Sequence, residues 1–309
     1  MLGRVTNQTA AMAASRGLQA NAARLAQLQG QASSLKAISV PSDDPTATGQ
    51  AMLVRGQQAS NAQYSRNAAD GVGWLSTTDS AMSNTVNILN KIRDLTVQGA
   101  NDGVMSATSR EAIATELTGL KSDLLAAANT TYAGRSVFAG TSDSGVAFTP
   151  ATTTTDPATG VVTTVPPAFT GASGSSVQRR IADGTTVKVD TDGSAVFGTG
   201  ANSVFSMVDS IVSDLRSGVN VNPQLNAIDA RLTAVRGAWG DVGTRQAQLE
   251  RAQDTLASSS TSLENQRSGI EDLDLAKVVL QLQTQTVSYQ SALATTAKVI
   301  QPTLMDFLK

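Results

Sequence analysis

Two places in the sequence set acidic side chains close enough together to do chemistry. Asp43 and Asp44 stand side by side between Pro41 and Pro45, and Asp190 and Asp192 flank a threonine ahead of Gly193. Adjacent carboxylates can share a proton and work as acid and base, or they can hold a cation. A structural reading competes for the first pair. Asp44 has the type and place of an N-cap, Pro45 suits a first helical position, and Asp43 complements the helix dipole. The structural reading is preferred, because the chain contains no His and no Cys, so the commonest general base, the commonest zinc ligand and all thiol chemistry are missing. Asp190 and Asp192 open like a calcium loop, but the later ligands and the closing glutamate are absent. A tight turn with Gly193 at positive φ is expected there, joining a strand at 185–189 to one at 194–197. Gly198 and Gly200 lack the third glycine and the strand-to-helix setting of a dinucleotide loop. No catalytic, cofactor-binding or metal-binding residue is expected.

What the chain offers instead is helix. Of its 309 residues 40% are apolar but only 4% aromatic, which suits long helices packed through small side chains. The net charge of −2 comes without a basic block, so neither nucleic acid nor an anionic membrane is an expected partner. No apolar run approaches the roughly 18 residues needed to span a bilayer, so membrane insertion is not expected. Residues 1–9 are too polar for a signal-peptide core, and any export is expected to proceed without a cleaved signal.

The C-terminal third carries the clearest pattern. Ile228, Val235, Val242, Leu249, Leu256, Leu263 and Ile270 recur at seven-residue steps as a coiled-coil seam. The register slips between Arg267 and Leu273, and a second train runs through Leu275, Val279, Leu282, Tyr289, Leu293, Ile300, Leu304 and Phe307. Gln246, Gln253 and Ser260 thin the first train and Thr286 and Thr296 the second, so each helix needs partners. Ser268 and Glu271 have the spacing of a capping box and are expected to start the terminal helix.

At the other end, residues 4–38 carry a thin stripe of Leu18, Leu25, Leu28 and Leu35, extended by Ala11, Ala14 and Ala32. Asn7 and Asn21 fall on seam positions, where a polar residue specifies register at a cost in stability. This helix is either a partner-dependent terminal element or an exposed amphipathic helix of a globular domain. Pro41 ends it. A long helix follows from Thr46 to about Ala100, with Trp74, Leu75, Met82, Val86, Leu89 and Ile92 on one face, and Gly71 and Gly73 marking a bend or a close contact. Thr108 and Glu111 fit a capping box for a third helix to about Ala128, antiparallel to the second.

The character changes after Thr131. Arg135–Gly140 reads as a short strand and 146–200 as a β-rich insert, in which the Thr-rich stretch 152–167 is expected to be a surface loop. Helix resumes near Ser203, breaks at Ser217–Gly218, and restarts with Asn222 as cap and Pro223 in the first turn.

Several of these segments resemble the flagellin superfamily. Tyr64-Ser65-Arg66-Asn67-Ala68-Ala69-Asp70-Gly71 resembles the stretch before that family's long helix, and Ile92-Arg93-Asp94-Leu95-Thr96-Val97-Gln98 the stretch that closes it. Pro41-Ser42-Asp43-Asp44-Pro45, the run 128–141, Asp192 to Gly198 and the closing 298–308 are similar to the branch that sits between hook and filament. The similarity runs the whole length except about 144–175. It implies a fold that is mainly α with a β-rich insert: a coiled-coil layer from 1–40 and 270–309, a helical bundle from 41–142 and 201–269, and an outward insert from 143–200. It also implies a structural subunit of the bacterial flagellum, extracellular, exported by the type III apparatus with a chaperone. The implied neighbours are hook-associated protein 1, flagellin and further copies of the chain in a ring. The alternative within the family is a minor flagellin; a secreted enzyme and a coiled-coil signalling protein are the rivals outside it. Lys91 stands where flagellins recognised by the innate receptor usually carry Arg, which sets this chain apart from them.

Overall fold

The structure is a computed structural model that describes residues 7–101, 105–155, 162–172 and 174–300. Its elements are α1 (Asn7–Ser34), α2 (Pro45–Gly99), α3 (Ala107–Ala128), β1 (Thr131–Tyr132), β2 (Arg135–Ser136), β3 (Thr152–Thr155), β4 (Val162–Val165), β5 (Gln178–Ala182), β6 (Thr185–Lys188), α4 (Gly193–Phe197), α5 (Val204–Ser217), α6 (Gln224–Glu271) and α7 (Leu275–Ile300). Contacts divide the chain into residues 1–60 with 259–309, and residues 61–258.

Within 61–258, the helices form an antiparallel bundle. Lys91 on α2 pairs with Glu116 on α3 at 2.8 Å, so the chain doubles back after Gly99. Arg93 meets Asp229 at 2.7 Å, the Trp239 indole N–H donates to Asp79 at 2.6 Å, and the Asn61 amide donates to the Leu256 carbonyl at 3.0 Å. As the α2 numbers fall the α6 numbers rise, so these two run antiparallel as well. The seam residues Ile228, Val235, Val242 and Leu249 of α6 are completely buried, as are Trp74, Leu75, Met82, Leu89 and Ile92 of α2. Each such side chain contributes roughly 1.5–3 kcal/mol of burial. Gly71 and Gly73 are close contacts within an unbroken α2. A Cβ on Gly71 would lie 2.8 Å from Leu249, and one on Gly73 2.5 Å from the Tyr132 hydroxyl.

The cap of α3 differs from expectation. Ser106, two residues ahead of Thr108, accepts the Ser109 N–H at 3.1 Å, and Glu111 instead pairs with Arg216 at 2.8 Å. Ser203 caps α5 by accepting from the Ser206 N–H, and Gly218 ends it at φ 68°, a left-handed position that favours glycine. Helix α6 begins at Gln224, directly after Pro223.

Among the described residues the β-rich part forms three separate two-stranded antiparallel pairs. Strand pairing in 131–140 is limited to β1 and β2, joined through Ala133 and Gly134 at positive φ. The Thr-rich stretch expected as a loop instead supplies β3 and β4, paired from Thr152 with Val165 to Thr155 with Val162, because β-branched side chains favour extended backbone. Strand β6 pairs with β5, upstream of it, through a turn at Gly184 (φ 69°), and not with 194–197. Those residues are helix α4, and Gly193 is not at positive φ. It is needed for space, since a Cβ there would sit 2.8 Å from the Phe138 carbonyl. Four of the six phenylalanines lie in this region, and Phe148 touches Phe169, Phe197 and Phe205 with ring centroids 5.2–5.6 Å apart. Because Phe205 belongs to α5, the 143–200 segment shares its core with the bundle helices.

Candidate assembly surface

The terminal unit, 1–60 with 259–309, is built from α1, α7 and the ends of α2 and α6. Leu35 adopts φ 57° and reverses the chain after α1. Beyond it, Lys36 bridges Asp272, the Ala37 N–H donates to the Glu271 carbonyl at 2.8 Å, and the Leu273 N–H to the Leu35 carbonyl at 3.2 Å. This small β-like clamp holds the end of α1 against the break between α6 and α7. The terminal helix is capped six residues later than expected: α6 runs on through Glu271, Ser268 donates to Asp272 at 2.5 Å, and Asp274 caps α7 by accepting the Lys277 N–H at 3.1 Å. Glu271 is buried, with Arg55 at 2.8 Å and Arg267 at 3.1 Å. The Arg55 hydrogen bond, with Arg267 behind it, holds its carboxyl below the ordinary glutamate range.

Helices α1 and α7 pack antiparallel above this clamp. On α1 the half-buried stripe is Ala14, Leu18, Asn21, Leu25, Leu28 and Ala32, and Leu28 is the most buried of these. On α7 the covered stripe is Val278, Leu282, Gln285, Tyr289, Ala292 and Thr296. Of the residues expected on the seam, Leu18, Leu25, Leu28, Leu282 and Tyr289 are therefore brought to the helix pair. Leu35 is 58% exposed, while Leu275, Val279 and Leu293 are between 42% and 49% exposed. Two members of the expected α7 train, Leu282 and Tyr289, lie on the covered stripe while Leu275, Val279 and Leu293 stay exposed, and Val278 is the buried residue that reading missed. Leu280 and Val287 form a second uncovered row. The side chain of Ile300, and Leu304 and Phe307 altogether, lie outside the described residues.

The acidic pairs take structural posts. Asp44 accepts the Ala47 N–H at 2.9 Å with Pro45 as the first residue of α2, which is an N-cap. Asp43 does not face that helix end. It accepts the N–H groups of Ser39 and Val40 at 3.0 Å each, locking the preceding turn. In the other unit Asp192 caps α4 by accepting the Ser194 N–H at 2.9 Å. Asp190 is fully buried, accepting the Val177 N–H at 2.8 Å, and burial raises its pKa above the ordinary range. Among the described residues no cluster of His, Cys, Asp or Glu could hold a metal ion, and no helix is long and apolar enough to cross a membrane.

Long helices from both chain ends, one over the other, with apolar rows left uncovered, define a helical assembly protein. Residues 5–143 match the bacterial flagellin N-terminal helical region and residues 225–308 the bacterial flagellin C-terminal helical region, and the chain belongs to the flagellin family. It is 35% identical over 111 residues to flagellar hook-associated protein 3 of Escherichia coli, covering 36% of this chain and 35% of that protein. It is 24% identical over 263 residues to flagellin of Bacillus subtilis, covering 84% of each. The chain thus spans about a third of the hook-associated relative's length. The solved flagellar hook associated protein-3 of Legionella pneumophila has the same fold, with a TM-score of 0.57 at 16% identity over 71% of this chain and 98% of that one. So does the FlgL structure from Bacillus cereus, at 0.56 and 20% over 70% of this chain and 99% of that one.

Proposed function

We propose that the chain is a structural subunit of the bacterial flagellum, placed at the junction between hook and filament and joined to its neighbours through α1 and α7. The observation that carries this reading is the pair of uncovered apolar rows on α7, Leu275, Val279 and Leu293 on one side and Leu280 and Val287 on the other. Exposed apolar rows on a helix that is itself only half covered invite further helices. The alignment to hook-associated protein 3 of Escherichia coli supports the junction placement. The partners in this reading are hook-associated protein 1 on one side, flagellin on the other, copies of the same chain around a ring, and a chaperone during type III export. The subunit then works outside the cell, and its role is mechanical, with no reaction assigned.

A filament subunit is the second reading, favoured by the alignment along 84% of Bacillus subtilis flagellin. A deletion strain separates the two. Loss of a junction protein leaves hooks without filaments and flagellin free in the medium, whereas loss of one flagellin among several leaves filaments in place.

A further inference from the structure

Aspartate is followed by glycine at Asp70-Gly71, Asp102-Gly103, Asp183-Gly184 and Asp192-Gly193. A glycine in that place has no Cβ to shield its amide nitrogen, which can attack the side-chain carboxyl before it. The N–Cγ bond forms, the carboxyl OH leaves with the amide proton as water, and a succinimide results. Water then reopens the ring. Opening at the former backbone carbonyl leaves the chain linked through Cγ, as an isoaspartyl residue with a free α-carboxylate. One water leaves and one enters, so the step needs no oxidant or cofactor, only a free amide and a side chain able to swing onto it.

Two of the pairs are locked. Gly71 lies inside α2, where the helical ladder takes its N–H, and Asp70 is held by the Arg179 guanidinium at 2.5 Å. Gly193 donates its N–H to the Phe138 carbonyl at 3.0 Å, and the Asp192 carboxylate accepts from the Ser194 N–H at 2.9 Å and the Ser194 hydroxyl at 2.7 Å. Asp102-Gly103 lies outside the described residues. Asp183-Gly184 is the two-residue turn between β5 and β6. The Asp183 side chain is 97% exposed, with the Arg180 guanidinium only as near as 3.6 Å. Gly184 sits at φ 69° with open space where a Cβ would stand, and among the described residues nothing accepts its N–H.

We propose that Asp183 is a self-modification site, at which the folded chain accumulates isoaspartate while Asp70 and Asp192 are spared. The product is a substrate for one chemical class of enzyme, a carboxyl methyltransferase that takes an isoaspartyl α-carboxylate and S-adenosylmethionine. An extra backbone carbon also changes the loop length that sets the register of a two-residue hairpin. That hairpin is tied to α2 by Arg179 on Asp70 and by the Asn67 amide, which donates to the Arg180 carbonyl at 2.8 Å. The change therefore acts at the edge of the bundle and leaves its core alone.

Trypsin separates the described pairs, since Asp183 falls in 181–188, Asp70 in 67–91 and Asp192 in 189–216. The folded full-length protein is aged in neutral buffer, a parallel sample is aged in guanidinium chloride, and both are digested. Isoaspartate in each peptide is measured by methyl transfer from radiolabelled S-adenosylmethionine. Of these three peptides, only 181–188 is expected to gain label in the folded sample, whereas all three should gain it in the unfolded one. A folded Asp183→Ser chain should lose the label in 181–188. Label in 67–91 or 189–216 of the folded chain that matches 181–188 would overturn the proposal. So would an unlabelled 181–188 in a folded chain whose unfolded counterpart is labelled there.

Discussion

Gln285 on α7 donates its side-chain amide to the carboxamide oxygen of Asn21 on α1 at 3.1 Å and to the Asn21 carbonyl at 3.3 Å. The contact sits in the middle of an otherwise apolar pair of stripes. Slipping either helix by one turn would leave a half-buried polar group facing aliphatic neighbours, which costs more than the bond itself contributes. Asn21 therefore specifies register between the two helices, as single polar seam residues do in coiled coils.

Replacing Asn21 with Leu should raise the stability of the helix pair while loosening its register. With spin labels on cysteines introduced at the exposed positions Arg16 and Gln290, the parent should give one narrow distance distribution and the Asn21→Leu chain a broad or split one. An equally narrow distribution would show that apolar packing alone sets the register.

The cap at Asp44 separates structural from chemical use of its carboxylate. Asp44→Ala should cost about 1 kcal/mol and Asp44→Asn only a few tenths, since Asn caps nearly as well. Denaturant unfolding measures both. An Asn variant that folds like the parent yet fails to restore motility would point to a role for the charge itself.

Two buried carboxylates predict opposite responses to pH. Asp190 has a raised folded pKa, so its ionisation opposes the native state. That penalty is absent below the unfolded value and grows as pH rises through the folded one. Lys188 and the Arg245 guanidinium, which donates to the Asp190 carbonyl at 2.7 Å, face it and offset only part of the cost. Asp190→Asn keeps an acceptor for the Val177 N–H and should stabilise the protein at pH 7 but not at pH 3. Glu271 has a lowered folded pKa, so its contribution is present above the unfolded value of about 4.3 and is lost as pH falls through the folded one. Protection of the Ala37 and Leu273 amides against hydrogen exchange should fall as pH drops through the folded value, and Glu271→Gln should remove that acid step. Protection that does not change with pH at both amides would contradict the assignment.

The long seam of α6 could be read directly because Ile228, Val235, Val242 and Leu249 repeat at one seven-residue interval, and all four are buried. The phase of α7 could not be read the same way. Val278, Val279 and Leu280 are consecutive, so periodicity cannot choose among them. The choice is made by tertiary contacts, the Asn21–Gln285 bond and the clamp at Leu35 and Leu273. Strands β3 and β4 were hidden for a related reason: in Thr152–Thr155 every side chain is β-branched and polar, leaving no alternation to mark a buried face. Hairpin β5–β6 was missed because the Asp192-Gly193 pair looks like a turn, while Asp192 in fact caps α4 and the chain turns at Gly184.

The central claim is that the terminal helices join subunits and that the bundle folds without that contact. Leu293 is 42% exposed on α7 and Leu249 is completely buried on α6, so one carboxylate placed at each tests it in a matched pair. Leu249→Asp should lose several kcal/mol, because it removes a buried aliphatic group and buries an unpaired charge, and its melting temperature should fall steeply. Leu293→Asp should melt like the parent, yet electron microscopy of cells carrying it should show hooks without filaments. Normal filaments on Leu293→Asp cells would contradict the account.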